Sequence, residues 1–205
     1  QINQKDLDRD VEHPKVEKNV VNEYQDMKQG KLHIGYETNV TFTHPDFPKM
    51  QITNGIFGGY PHAKLFLNVR EKESMAYYVS SSFSSAYGLL FVLAGIDASK
   101  QEKAVGLIDE QLEAMKNGEI SQNEIDQTVA MLKNQLKEAL DSARGQIEIF
   151  DQYKDLGEEF TVDSWVAKWA TVTKDDIQEM AKSINKQLVY FLSGKEEMSH
   201  EGASL

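Results

Sequence analysis

The chain has 205 residues, of which 40% are hydrophobic and 27% are charged, an ordinary composition for a soluble globular protein. It carries 22 Lys and Arg residues against 33 Asp and Glu residues. The resulting formal net charge of −11 argues against binding to nucleic acid or to an anionic membrane. The chain contains no cysteine, which excludes disulfides, cysteine-ligated metal sites and a cysteine nucleophile.

The two ends of the chain are its most polar parts. Residues 1–28 are predicted to form a linker or N-terminal extension, which includes a short amphipathic stretch from Val16 to Met27. The domain itself is predicted over residues 29–196, and residues 197–205 are predicted to be a flexible tail. Because there is no start methionine and no signal-peptide core, we expect the chain to begin inside a longer gene product. No apolar run approaches the roughly 20 residues of a membrane span.

The first part of the predicted domain reads as one strand followed by two helices. Apolar and polar residues alternate over residues 31–42, which is the period of a half-buried strand. Pro48 is expected to begin a helix whose apolar pattern ends at the glycine pair 58–59. Pro61 is expected to begin a second helix, which ends in the charged residues 70–73.

An antiparallel hairpin is predicted after these helices. Residues 77–85 and 87–97 read as two β-prone segments joined by a tight turn. Alternation places Ser80, Ser82 and Ser84 on one face, and no G-x-S-x-G motif accompanies the serine run. A polar face of the sheet is therefore favoured over a nucleophilic serine.

The remainder of the chain is predicted to be mainly helical, with one closing strand. Ser121 and Glu124 form a capping-box motif, Thr173 is expected to cap the last helix, and a short helix carries Ile147, Phe150 and Tyr153. The chain is predicted to be mostly helical from residue 99 onward. The apolar faces of the helices span 105–115, 125–140, 147–153, 164–170 and 177–184, and the strand lies at 188–193. This order predicts an α+β fold in which helices cover a mainly antiparallel sheet.

The histidines give no zinc motif. No two of the five are spaced i,i+4, and neither H-E-x-x-H nor H-x-x-E-H is present. They are His13, His33, His44, His62 and His200. We therefore predict that this chain holds no metal or other cofactor and contains no catalytic residues of its own. The glycine pair 58–59 also lacks the spacing of a phosphate-binding loop.

One ordered set of short motifs resembles a known family. A glycine pair at 58–59 is followed by Leu65-Phe66, then Arg70-Glu71-Lys72, then Ala76-Tyr77 at the start of a strand. Their order and spacing resemble the insulinase/pitrilysin superfamily of zinc metallopeptidases, and the resemblance extends over about residues 29–196. The chain is similar to the C-terminal, zinc-free half of a bacterial member. Tyr60-Pro61-His62 replace the small residues that usually follow the glycine pair, so this helix start is expected to differ.

The resemblance implies a fold of the LuxS/mitochondrial-processing-peptidase kind and a division of labour between two homologous halves. One half binds zinc, and the other helps to enclose and bind the peptide substrate. It implies that Arg70 and Tyr77 bind substrate, with Arg70 offering donors to a carbonyl or carboxylate and Tyr77 donating to an oxyanion. The expected partners are a zinc-bearing half or subunit and a peptide, and the expected location is the cytoplasm. This chain alone is expected not to be an enzyme.

Two other interpretations stay open. The first is a silent scaffold or assembly subunit of the same fold, in which neither half cleaves peptides. The second is an unrelated α+β interaction domain, which predicts that Arg70 and Tyr77 do not face a common cavity.

Overall fold

The sheet follows from alternating apolar residues along strands that pair over long sequence distances. The computed structural model describes residues 19–154 and 161–194. Its strands are β1 (Val20–Gln25), β2 (Gly30–Glu37), β3 (Tyr78–Ser84), β4 (Leu89–Ile96) and β5 (Asn185–Gly194). They form one sheet in the order β1-β5-β2-β4-β3. Only the β1–β5 pair is parallel, so the predicted mainly antiparallel sheet is confirmed.

Seven helices, besides a 3-10 turn at Ala98–Lys100, accompany the sheet in the described residues. They are α1 (Phe47–Asn54), α2 (Leu65–Lys72), α3 (Gln101–Lys116), α4 (Gln122–Leu140), α5 (Ala143–Tyr153), α6 (Val162–Ala170) and α7 (Lys174–Ser183). The helix α1 continues into a π-helical segment, Gly55–Gly59, and α2 is itself π-helical. The predicted α+β class is therefore confirmed. None of the helices in the described ranges is long and apolar enough to cross a membrane.

The helices pack on one face of the sheet. On β2, Leu32, Ile34 and Tyr36 are fully buried, whereas the intervening His33 is exposed. The strand register extends this difference across the sheet, because neighbours in register point to the same side. We call the side of the sheet that faces away from the helices the open face. It carries Lys31, His33, Tyr78, Ser80, Ser82, Phe91, Leu93, Leu188, Tyr190 and Leu192. Side chains on the open face are exposed or half-buried.

The hairpin and the serine face agree with the sequence prediction. Strands β3 and β4 are joined by a turn in which Gly88 has φ +63°, a conformation that suits glycine. Ser80 and Ser82 are exposed, and Ser84 is half-buried, as expected for a polar face. The intervening Ser81 is buried on the helical side, where its hydroxyl donates to Oδ1 of Asn54 at 2.7 Å.

The strand predicted over residues 31–42 is shorter than expected. It ends at Glu37 because Thr38 turns away and bonds the Gly88 carbonyl through both its backbone N–H and its hydroxyl. Asn39 then adopts φ +56°, which no strand continues through. Val40 is nevertheless buried, so the alternating apolar pattern extends beyond the strand itself.

The N-terminal boundary also differs from the prediction. Strand β1 lies within the predicted 1–28 extension, yet its residues Val20 to Gln25 pair in parallel with β5. Of its six residues only Val21 is half-buried and the rest are exposed, so no period-two signal marks it. Residues 1–18 and the predicted tail 197–205 lie outside the described residues.

The capping motifs predict the helix starts correctly, whereas the buried face predicted for α5 is only partly right. The capping boxes at Ser121 and Thr173 are both formed. On α5, Tyr153 is buried as the pattern suggests, but Ile147 and Phe150 are exposed and Ile149 packs into the core instead. Apolar residues spaced three apart along a short helix are compatible with two different buried faces, and tertiary packing determines which face is buried.

The start of α2 also departs from the prediction. The helix begins at Leu65 rather than at Pro61, after a turn in which the Ala63 N–H bonds the Tyr60 carbonyl. The Tyr60 hydroxyl donates to Oε1 of Gln135 at 2.7 Å, and Nε2 of His62 lies 2.8 Å from the Thr128 hydroxyl. These bulky residues attach the start of α2 to helix α4.

Two glycines in helical segments should respond oppositely to alanine. At Gly58 an added Cβ would lie 2.8 Å from the backbone nitrogen of Ser81 and 2.6 Å from Cδ1 of Leu65. We expect Gly58→Ala to lower the free energy of unfolding by about 1–3 kcal/mol through overpacking. At Gly106 an added Cβ meets no atom within 4 Å. Gly106→Ala should raise this free energy by about 0.5–1 kcal/mol, because alanine favours the helix.

Urea unfolding of both variants measures the two changes. A Gly58→Ala variant that loses no stability would contradict the packing described for Gly58, and a Gly106→Ala variant that loses stability would contradict the open space described at Gly106.

Candidate functional site

Arg70 is placed at the C-terminal end of the π-helical segment α2. Burial of Leu65 and Val69 against the core leaves Arg70 on the outer side of the helix. The Arg70 guanidinium carbon lies 4.6 Å from the centroid of the Phe66 ring, a cation–π distance. Nε of Arg70 is 3.7 Å from Oε1 of Glu71, which is too long for a hydrogen bond. The guanidinium therefore keeps donors for a ligand.

A sharp turn connects Arg70 to Tyr77. The Ser74 N–H bonds the Arg70 carbonyl, and the Met75 N–H bonds the Val69 carbonyl. Ser74 has φ +49°, which is uncommon for a residue with a side chain. π-Helical segments often occur at functional sites, and this one ends where the chain reverses. The reversal brings the end of α2 next to the start of the hairpin.

Tyr77 stands just before strand β3 and is held at two points. Its backbone N–H donates to the Gly95 carbonyl at 2.8 Å, which extends the hairpin by one residue. Its hydroxyl donates to Oδ1 of Asp97 at 2.6 Å. Oδ2 of Asp97 in turn lies 3.1 Å from Nζ of Lys100. The Tyr77 side chain is 58% exposed, so a ligand can reach it.

Arg70 and Tyr77 line one open pocket of about 400 Å³. Its lining residues are Arg70, Glu71, Ser74, Met75, Ala76, Tyr77, Asp97 and Lys100. The interpretation as an unrelated interaction domain predicts that Arg70 and Tyr77 do not face a common cavity, and that prediction is wrong. The Arg70 guanidinium and the Tyr77 hydroxyl therefore both border this pocket.

The hydrogen bond between Tyr77 and Asp97 shifts the pKa values of both side chains. The pKa of the Asp97 carboxyl lies below its ordinary value, because the carboxylate accepts the Tyr77 hydroxyl and then a hydrogen bond from Lys100. The pKa of the Tyr77 hydroxyl is raised, because ionisation would break its bond to Asp97 and place two negative charges together. At neutral pH the pair consists of a neutral phenol and a charged carboxylate.

The sequence patterns do not single out Asp97 or Lys100. Both follow β4, while Arg70 and Tyr77 precede β3, so only the hairpin register brings the two groups together. An antiparallel hairpin places residues just before its first strand beside residues just after its second. That rule, applied to the predicted hairpin, could have identified Asp97 as the neighbour of Tyr77.

The described histidines do not form a metal centre. His33 lies on the open face, Nδ1 of His44 accepts the Asp46 N–H at 3.1 Å, and His62 bonds Thr128. Within residues 19–154 and 161–194 no group of three His, Cys, Asp or Glu residues is arranged to hold a metal ion.

The helix-covered sheet is a fold that a solved peptidase M16 inactive domain also has. The family model "Peptidase M16 inactive domain" matches residues 2–132. The chain therefore belongs to the inactive-domain family of M16 peptidases, and the predicted resemblance to zinc-free peptidase halves is confirmed.

Relatives agree with this assignment. The chain is 44% identical over 185 residues to "Probable inactive metalloprotease YmfF" of Bacillus subtilis, which covers 90% of this chain and 43% of that protein. A conserved protein from Enterococcus faecalis has a similar structure, with a TM-score of 0.85 and 38% identity over 90% of this chain and 44% of that one. The peptidase M16 inactive domain from Pseudomonas fluorescens, at 21% identity, has a TM-score of 0.68 and covers 85% of this chain and 43% of that one. The chain thus spans less than half the length of these relatives.

Removing the Tyr77 hydroxyl should change the titration of Asp97. We expect Tyr77→Phe to raise the pKa of the Asp97 carboxyl toward its ordinary value of 3.8, because its first stabilising hydrogen bond is lost. A carboxyl-carbon NMR titration measures this pKa. Tyr78→Phe, the next residue along, is the matched control and should leave the pKa unchanged. An equal pKa in the wild type and in Tyr77→Phe would contradict the bond.

Proposed function

We propose that this domain is the substrate-holding half of an M16-type zinc peptidase, in which the zinc ion is supplied by an upstream half or by a partner subunit. The domain helps to enclose a peptide and binds it through Arg70 and Tyr77. The supporting observation is that these two side chains line the same open pocket in a domain of the inactive M16 family.

The chemistry of the pocket suits a peptide backbone. Arg70 and Lys100 supply two positive charges, and Glu71 and Asp97 supply two negative charges, so the formal charges of the lining cancel. A pocket without net charge favours a neutral polar group such as the amide. The Arg70 guanidinium has several donors in a fixed plane, which match a carbonyl oxygen.

The one-sided packing of the domain suits enclosure. Tyr78 and Phe91 on the open face are 41% and 38% exposed. A sheet face with exposed aromatic side chains beside polar ones such as Ser80 and Ser82 suits contact with an unfolded peptide. A second homologous half would close the space that this face leaves open.

The name of one relative favours a second candidate. The Bacillus subtilis protein that is 44% identical to this chain is described as a "Probable inactive metalloprotease". By analogy, the whole protein containing this chain would be inactive as a protease, and we propose as the second candidate that it acts as a silent scaffold. The two candidates differ in peptide binding, since a scaffold gives Arg70 and Tyr77 no ligand. A cytoplasmic location is part of both and is consistent with the absence of cysteine.

Substitution of Arg70 tests the proposed role. In the whole protein, purified together with any subunit that accompanies it, Arg70→Ala should weaken peptide affinity about 10-fold through loss of charged hydrogen bonds. Fluorescence anisotropy with a labelled peptide from a digest of β-casein, in the presence of a zinc chelator, measures the affinity. Without the chelator, peptide turnover should fall by a similar factor.

Arg144→Ala is the matched control. Arg144 is highly exposed, pairs with Glu148 on α5, and does not line the pocket. It should leave affinity and turnover unchanged. Equal affinities of the wild type and Arg70→Ala would remove Arg70 from the proposed role. A wild type that binds no peptide would favour the scaffold.

A further inference from the structure

The hydrogen bond between Tyr77 and Asp97 has a direction that chemistry determines. A charged carboxylate has no proton and can only accept, so the Tyr77 hydroxyl must be the donor at 2.6 Å. Lys100, 3.1 Å from the other carboxylate oxygen, stabilises the charged form. The lowered pKa of the Asp97 carboxyl agrees with a charged state at neutral pH. The single proton of Tyr77 is thereby committed to Asp97.

A phenol whose proton is committed still has lone pairs to offer. The Tyr77 side chain is 58% exposed and lines the pocket, so its oxygen remains accessible to a bound group. Such an oxygen accepts a hydrogen bond and does not donate one. A pocket that held only donors would select carbonyl or carboxylate oxygens, whereas this one presents an acceptor beside the donors of Arg70.

We propose that Asp97 is a positioning residue that makes Tyr77 a hydrogen-bond acceptor, so that the pocket receives a backbone N–H of the bound peptide at Tyr77 and a backbone carbonyl at Arg70. This inference rests on the proposed peptide-binding function and names the part of the peptide that is recognised. Every residue of a peptide other than proline presents one backbone donor and one backbone acceptor. Recognition of it is independent of the peptide's side chains.

The assignment differs from the role that family resemblance implies for Tyr77. A tyrosine that donates to an oxyanion needs a hydroxyl proton that is free for that bond, and here the Tyr77 proton is already donated to Asp97. Donation to a substrate would require the Asp97 bond to break first. Binding of an N–H by the Tyr77 oxygen requires no such change, because the hydroxyl keeps its bond to Asp97.

Replacement of single amides by esters in the bound peptide tests the inference. An ester has oxygen in place of the N–H and so removes one donor at a time. The probe is the β-casein peptide with the highest affinity for the whole protein, measured in the presence of a zinc chelator. In the wild type, one ester position should weaken binding about 10-fold, the loss of a single hydrogen bond. With the ester at that position, the Tyr77→Phe variant should bind the ester peptide and the amide peptide with affinities within about 2-fold of each other.

The variant Asp97→Asn tests the positioning role of Asp97 directly. The carboxamide of asparagine can donate a hydrogen bond as well as accept one, so the Tyr77 hydroxyl no longer has to donate to residue 97. The loss of affinity that the ester causes, which we call the ester penalty, should then fall below about 3-fold. Glu102→Gln removes an exposed carboxylate that does not line this pocket and should keep the full penalty. Should Asp97→Asn fail to fold, Asp97→Ala provides the second variant, because it removes the group that accepts the Tyr77 proton and should reduce the penalty in the same direction.

The outcomes separate the two levels of the proposal. If Arg70→Ala weakens binding but no ester position depends on Tyr77, the peptide-binding function stands and this inference is overturned. An ester penalty that depends on Tyr77 but survives Asp97→Asn and Asp97→Ala would overturn the role of Asp97. A wild-type protein that captures no β-casein peptide would overturn the proposed function and the inference with it.

Discussion

The antiparallel register of β3 and β4 is the constraint on which the pocket depends. Tyr78 pairs with Gly95, and the Tyr77 N–H continues the ladder to the Gly95 carbonyl. A shift of one residue would move Val79 from the core to the open face and carry Tyr77 away from Asp97. The buried contact of Val79, Ala94 and Val92 with the helices opposes such a shift. Core packing on one side of the hairpin thereby positions polar groups at its end.

Helix α2 depends on the same strand. The close approach of Gly58 to the backbone of Ser81 seats the segment before α2 against β3, and the Ser81 hydroxyl bonds Asn54 from the other side. Leu65 and Val69 then fix the rotation of α2, which leaves Arg70 at the pocket. A small residue at position 58 is therefore a requirement of the site as well as of the core.

Much of the fold could be predicted from local patterns. Period-two alternation identifies the hairpin, capping motifs at Ser121 and Thr173 locate helix starts, and the spacing of Arg70 and Tyr77 resembles a known family. These signals are local in sequence, so a single chain reveals them. The resemblance implies that Arg70 and Tyr77 act together; both line one pocket, and their role in binding substrate stays a prediction.

The missed features depend on contacts between distant residues. Strand β1 is exposed at nearly all positions, so its sequence has no alternating apolar pattern. It forms by pairing with β5, which lies near the other end of the described chain. The early end of β2 results from a bond between Thr38 and Gly88. Asp97 acquires its role from the hairpin register. Local propensity carries no information on any of these three contacts.

The proposed role of the domain in a larger peptidase rests on a division of labour, in which this chain binds peptide and the zinc is bound elsewhere. Zinc content and peptide hydrolysis of the whole protein, purified from its host with the subunits that accompany it, test that division most directly. We expect a single zinc ion per pair of homologous halves, bound outside this domain, and hydrolysis that stops when the zinc is removed. A preparation with no zinc and no hydrolysis, or zinc bound by this domain itself, would contradict the account.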